Sequence, residues 1–175
     1  MKILKLLVWI VLLFAAYIFF LRSPDQKKGE SAPDFTAELI TGEQFNLSDL
    51  RGDYVLLDFW GSWCGPCIRE SPELVRLNDD FAGKSINGDK AFHVVTVALE
   101  KNDRTWRRAA ERMGFDWKYQ IVQESKVVLL SPIAQKYAVS EIPAKFLIDP
   151  EGNVIGVNQS FDEIRQVLSG TKKDS

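Results

Sequence analysis

Two cysteines and one histidine are the only thiols and imidazole in 175 residues, and that scarcity excludes much. Cys64 and Cys67 are separated by two residues, so they cannot staple remote segments together as a disulfide framework does. A structural zinc site needs four ligands, and a third cysteine is missing while His93 stands alone, so Cys-x-x-Cys here reads against metal. Charge of one sign is lacking too. The formal net charge is -2 and no basic cluster is present, which leaves no face for nucleic acid. With 46% hydrophobic and 26% charged residues the chain is not of the disordered class. It has no internal repeat, and its length suits one ordinary domain once an apolar N-terminal stretch is set aside.

That stretch is the one long hydrophobic run. Lys2 and Lys5 precede an unbroken apolar segment from Leu6 to Leu21, which Arg22 ends. The run is a little shorter than the roughly 20 residues that span a bilayer, but Ile3 and Leu4 extend it if Lys5 snorkels to the interface. A cleaved signal peptide needs small residues at its cleavage site, and cutting after Ala16 would put bulky Phe14 where a small one belongs. Residues 1–22 are therefore expected to be an uncleaved transmembrane anchor, with the N-terminus cytoplasmic and the rest of the chain outside the membrane, in the periplasm or its equivalent. Residues 23–31, with Pro24, Lys27, Lys28 and Gly29, suit a tether. A domain over 32–170 and a polar tail over 171–175 complete the expected division.

Within the domain, Phe35 onward reads as a strand, a turn at Thr41-Gly42-Glu43 and a second strand through Phe45-Asn46-Leu47, an edge hairpin. Tyr54 to Trp60 is a near-continuous apolar strand of the kind covered on both faces, and Ala91 to Leu99 is a second. Apolar spacing predicts a helix from Pro66 to Phe81, with Pro72 kinking it. Further helices are expected over Asp103 to Met113, with Asp103 as N-cap, over Ser131 to Tyr137, and over Phe161 to Leu168. Lys145 to Asp149 and Val154 to Val157 flank a tight turn at residues 150–153. These elements make an α/β domain, a mixed sheet flanked by helices.

The sequence Trp60-Gly61-Ser62-Trp63-Cys64-Gly65-Pro66-Cys67 places a Cys-x-x-Cys unit where a buried strand ends and a helix begins. The thiolate is the attacking species, and the free N–H groups and partial positive charge of a helix start stabilise it. Cys64 is thus the expected exposed nucleophile, and Cys67, about a turn further in, resolves the mixed disulfide. The pair calls for no cofactor beyond itself. Asp58 lies on the buried strand, where alternation puts it near the pair; a buried carboxylate there suits a base that takes the Cys67 proton, whereas an exposed strand-end aspartate would do nothing. Glu70, one helical turn past Cys67, either tunes the pair or is a solvated charge. Trp60 and Trp63 suit an apolar platform at the site, Trp106 and Trp117 suit gap filling, and His93 in its apolar strand suits a structural role.

The active-site stretch resembles the thioredoxin superfamily. Ala32-Pro33-Asp34-Phe35, Leu47-Ser48-Asp49-Leu50-Arg51-Gly52, Trp63-Cys64-Gly65-Pro66-Cys67 and Ile142-Pro143 before Phe146-Leu147-Ile148-Asp149 narrow the resemblance to the membrane-anchored TlpA/ResA-like branch, over about residues 32 to 168. The resemblance implies a thioredoxin fold with an added N-terminal hairpin and a central insertion. It also implies a cis-Pro143 against the cysteines, and an Ile142 backbone that, with Trp63, Gly65 and Pro66, meets an extended substrate. The implied activity is reduction of disulfides in exported proteins, with electrons from a membrane partner and cytochrome c maturation as the known theme. Gly65-Pro66 and Ile142 resemble reducing thioredoxins, implying a potential near roughly −270 mV rather than roughly −120 mV. The chain departs from the branch at Asp58, where many members carry another residue, and at Ala144-Lys145, where small hydroxyl residues are usual beside the substrate groove. A thiol peroxidase of the same fold would need Thr or Ser where Gly61 stands, and a non-enzymatic adaptor or chaperone would use the groove without the dithiol.

Overall fold

A computed structural model describes residues 9–11, 13–14, 28–102, 105–126 and 130–170. Of the expected anchor only 9–11 and 13–14 fall in this set, and they are helical. Most of the tether, the tail and Asp103 lie outside the described residues. Among the described residues no helix is long and apolar enough to cross a membrane.

Alternating burial of apolar side chains on the central strand organises the domain. In β3 (Tyr54–Trp60), Val55, Leu57 and Phe59 enter one hydrophobic cluster, while Leu56 and Trp60 enter the other on the opposite face. A strand apolar on both faces needs cover on both, and so it lies in the middle. The sheet runs β5-β4-β3-β6-β7, with β4 (Phe92–Glu100) parallel to β3, β5 (Tyr119–Glu124) parallel to β4, and β6 (Ala144–Ile148) and β7 (Val154–Val157) antiparallel beyond β3. Helices α1 (Gly65–Phe81), α2 (Trp106–Met113) and α4 (Phe161–Leu168) supply apolar residues to the cluster containing Leu56 and Trp60; α3 (Pro132–Lys136) supplies the other.

The N-terminal hairpin forms as expected, β1 (Thr36–Glu38) pairing antiparallel with β2 (Gln44–Asn46), and a bridge from Leu39 to Ile121 docks it on the β5 edge. Strand β5 is absent from the sequence reading. Its polar Gln120 breaks the apolar pattern, yet it is buried because its amide donates to the carbonyls of Phe115 and Trp117 at 3.2 and 2.9 Å. Helix α2 starts at Trp106 behind Thr105.

Helix α1 continues through Pro72. Proline has no N–H to give the Ile68 carbonyl four residues back. The buried Ser71 hydroxyl takes over, donating to that carbonyl at 2.9 Å. Ser71→Ala should therefore cost about 1 kcal/mol in urea denaturation of the oxidised protein. In a Pro72→Ala background, where an amide N–H returns, the same change should cost much less; equal costs would mean that the hydroxyl does not serve Pro72.

Candidate active site

Strand β3 ends at Trp60, and α1 begins after four intervening residues, so the connecting loop sits at the carboxyl edge of the sheet. Cys64 is the N-cap of α1, in extended conformation, and Pro66 occupies the opening turn, where its missing N–H costs nothing. The backbone N–H of Cys67 donates to Cys64 Sγ at 3.2 Å, and the two cysteines form a disulfide with Cα atoms 5.3 Å apart. Cys64 thus faces the positive end of a seventeen-residue helix.

The expected exposure of Cys64 is corrected. It is 4% exposed and Cys67 5%, so access does not tell the two sulfurs apart in the oxidised state. Their surroundings do. Cys64 Sγ lies 3.7 Å from the carbonyl oxygen of Ile142, whose bond to Pro143 is cis. Cys67 instead turns inward, lining a small cleft with Asp58, Glu70, Ser71, Pro143 and Phe161. Around the disulfide, Trp63, Gly65 and Pro66 are exposed and Ile142 and Pro143 half-buried, which brings the predicted contact residues onto one surface. Trp60 is not part of that platform. It is buried, edge-on to Phe115 at 5.2 Å, while Trp63 stands 53% exposed and donates its indole N–H to the Leu99 carbonyl at 2.9 Å.

The loop before Cys64 is held by a residue that sequence reasoning missed. Glu100 ends β4, is almost fully buried, and accepts from the Ser62 backbone N–H at 2.6 Å and the Ser62 hydroxyl at 3.0 Å. The Ser62 and Thr105 hydroxyls share a further bond of 2.8 Å. Gly61 is required by close packing: a Cβ there would stand 2.8 Å from the Trp63 indole nitrogen and 3.1 Å from the Leu99 carbonyl oxygen.

Asp58 lies on the β3 face that carries Leu56 and Trp60, toward α1, as alternation predicts, and burial pushes its carboxyl up to about 7. Lys145 partly offsets that rise and Glu70 adds to it. Lys145 sits directly across from Asp58 on β6, on the face shared with Leu147. Its ammonium is 2.5 Å from a Glu70 carboxylate oxygen. The sequence placed Lys145 at the substrate groove; it is instead buried, its side chain 9% exposed. A lone lysine inside the apolar run Ala144-Lys145-Phe146-Leu147-Ile148 was the available signal, the mirror of Asp58 in its own strand. Glu70 is neither free nor buried: it is 44% exposed and ion-paired. His93 pairs with Asp53 at 3.1 Å near the start of β4, far along the strand from Glu100. Trp106 and Trp117 are buried, as gap filling requires.

A dithiol capping a helix at the carboxyl edge of this mixed sheet, beside a cis-proline, defines a thioredoxin-fold thiol-disulfide oxidoreductase. The chain belongs to the AhpC/TSA family, which its residues 28–157 match. It is similar to the thiol-disulfide oxidoreductase ResA of Geobacillus kaustophilus, 29% identical over 153 residues that cover 87% of this chain and 75% of that protein. ResA of Bacillus subtilis is 30% identical over 130 residues, covering 74% and 66%. Among solved structures, a thiol-disulfide oxidoreductase from Bacteroides fragilis aligns with a TM-score of 0.67 at 27% identity, covering 79% of this chain and 100% of that one.

The raised carboxyl makes a thermodynamic prediction. A folded-state value near 7 against 3.8 means that the folded protein holds a proton that the unfolded chain releases above pH 4. Stability from this group is full below about pH 4, declines as pH rises to about 7, and is flat beyond. Asp58→Asn abolishes that decline. Denaturation of the oxidised protein across this range should show the variant gaining on the parent between about pH 4 and 7 and holding its lead above; a constant difference would mean that Asp58 titrates normally.

Proposed function

We propose that this chain reduces disulfides of exported proteins from a membrane anchor, and the observation that carries the reading is the helix-capping Cys64 backed by a buried carboxylate on the Cys67 side. Cys64, as thiolate, attacks one sulfur of a substrate disulfide; that bond breaks, one substrate sulfur leaves as thiolate, and a mixed disulfide forms. Asp58 takes the proton of the Cys67 thiol. The resulting thiolate attacks Cys64 Sγ, releasing the second substrate sulfur and closing the Cys64–Cys67 disulfide. Two electrons have passed to the substrate, and a dithiol donor in the membrane restores the pair. Trp63, Gly65, Pro66, Ile142 and Pro143 form the surface for an extended substrate segment.

Support for the extracytoplasmic setting is the apolar run of residues 6–21 with charges at both ends. Cytochrome c maturation is the specific pathway that the ResA-like resemblance suggests. Gly61 weighs against a thiol peroxidase, because it supplies no hydroxyl where that chemistry needs Thr or Ser.

Two measurements test this. Cys67→Ser should accumulate mixed disulfides between Cys64 and exported proteins in the membrane fraction; partners that are all cytoplasmic, or none, would overturn the reading. In rapid-mixing experiments Asp58→Asn should slow decay of a model mixed disulfide by roughly tenfold or more while leaving first attack unchanged. Glu70→Gln should have the smaller effect; normal decay in the first variant with slow decay in the second would make Glu70 the base.

A further inference from the structure

Opposite Asp58 in the sheet, and paired with the cleft residue Glu70, lies a buried cation that this redox cycle does not use. We propose that Lys145 is the positioning residue that sets how readily Asp58 accepts a proton, and that Glu70 influences the dithiol through Lys145, as its counterweight. The proposal rests on the reading of Asp58 as the base for Cys67.

Strand pairing fixes the geometry. Asp58 and Lys145 are directly opposed in the antiparallel β3–β6 register and lie on the same face of the sheet, so their side chains leave neighbouring backbone positions in the same direction. The lysine backbone is held through both its polar groups by Asn158, whose side-chain oxygen accepts the Lys145 N–H and whose own N–H donates to the Lys145 carbonyl, each at 2.8 Å. The ammonium is held as well. It lies 2.5 Å from Glu70 and 5.1 Å from the centre of the Phe161 ring, whose face attracts a cation. A buried lysine without such partners would be costly.

The groups facing Asp58 are few. Helix α1 contributes Cys67 and Glu70, β6 contributes Lys145, β4 contributes the neutral Thr96 opposite it in register, and α4 contributes only the Phe161 ring to the cleft. Among the described residues Lys145 is the cation that acts on Asp58, and it works against burial, favouring the carboxylate that must exist before Cys67 can lose its proton. Glu70 works the other way. Its own charge opposes ionisation of Asp58, and by pairing with the ammonium it offsets part of the charge that Lys145 presents. Lysine and glutamate should thus move Asp58 in opposite directions. A lysine that merely fills space and pairs with Glu70 would alter stability without moving Asp58 at all.

Carbon-13 NMR of the Asp58 carboxyl in the oxidised full-length protein reads this directly. Lys145→Met, close in shape but uncharged, should raise the Asp58 titration midpoint by roughly one pH unit or more, and Glu70→Gln should lower it. Lys145→Arg should keep it near the parent value; Lys145→Gln serves if the methionine variant fails to fold. The pH midpoint of mixed-disulfide decay should follow the same order, and Lys145→Met should have no further effect on decay in an Asp58→Asn background. An Asp58 midpoint unmoved by loss of the lysine charge, or moved in the same direction by both variants, overturns the proposal. If the midpoint moves as stated but Asp58→Asn decays at the parent rate, the assignment of Asp58 as base fails and the electrostatic link stands, so the two failures are distinct.

Discussion

Placing a carboxylate inside a hydrophobic cluster is the constraint around which this site is arranged. Asp58 stands between Leu57 and Phe59 in the central strand, on the face that packs under α1, and charge in that position is costly unless something answers it. The answer comes from the next strand, where Lys145 interrupts an equally apolar run with the opposite sign. Neutral polar residues continue the row across the sheet: Thr96 faces Asp58 on β4, and Gln120 faces Thr96 on β5. Their groups are engaged, the Trp117 indole N–H donating to Thr96 Oγ at 3.1 Å and the Gln120 amide to two carbonyls. A polar row therefore crosses the domain beneath the disulfide.

Above that row the disulfide loop is held by hydrogen bonds from backbone and side chains. The Cys67 N–H at the helix start donates to Cys64, Glu100 ties down Ser62, and Trp63 is anchored by its indole while its ring stays exposed. These restraints act on the loop and on the first turn of the helix. One sulfur consequently faces the surface made by Trp63, Pro66 and Ile142, and the other faces the cleft. The two sulfurs differ in direction, although both are similarly buried.

The same economy governs α1. A proline in its third turn could have broken the helix that carries Cys67 and Glu70, and a serine hydroxyl one residue earlier supplies the lost donor. The spacing between disulfide and ion pair is kept along one helix.

Every strand and helix of the domain but β5, the turn residues, the Cys-x-x-Cys unit at a strand-to-helix junction and the burial of Asp58 could be read from the sequence, because each is set by local chemistry: apolar period, proline and glycine positions, and side-chain alternation. The boundaries of β3, β6, β7, α1 and α4 follow that pattern closely. Strand β5 did not, since Gln120 looks like a loop residue until Phe115 and Trp117 return to meet it. Nor could the sequence say that Lys145 faces inward, that Glu70 is its partner, or that Glu100 grips Ser62. These pairs are separated by 75 and 38 residues, and only strand register and helix packing decide which of many possible partners lies within reach. Local pattern determined that a dithiol and a carboxylate share a face; the pairing of β3 with β6 decided which charge stands beside them.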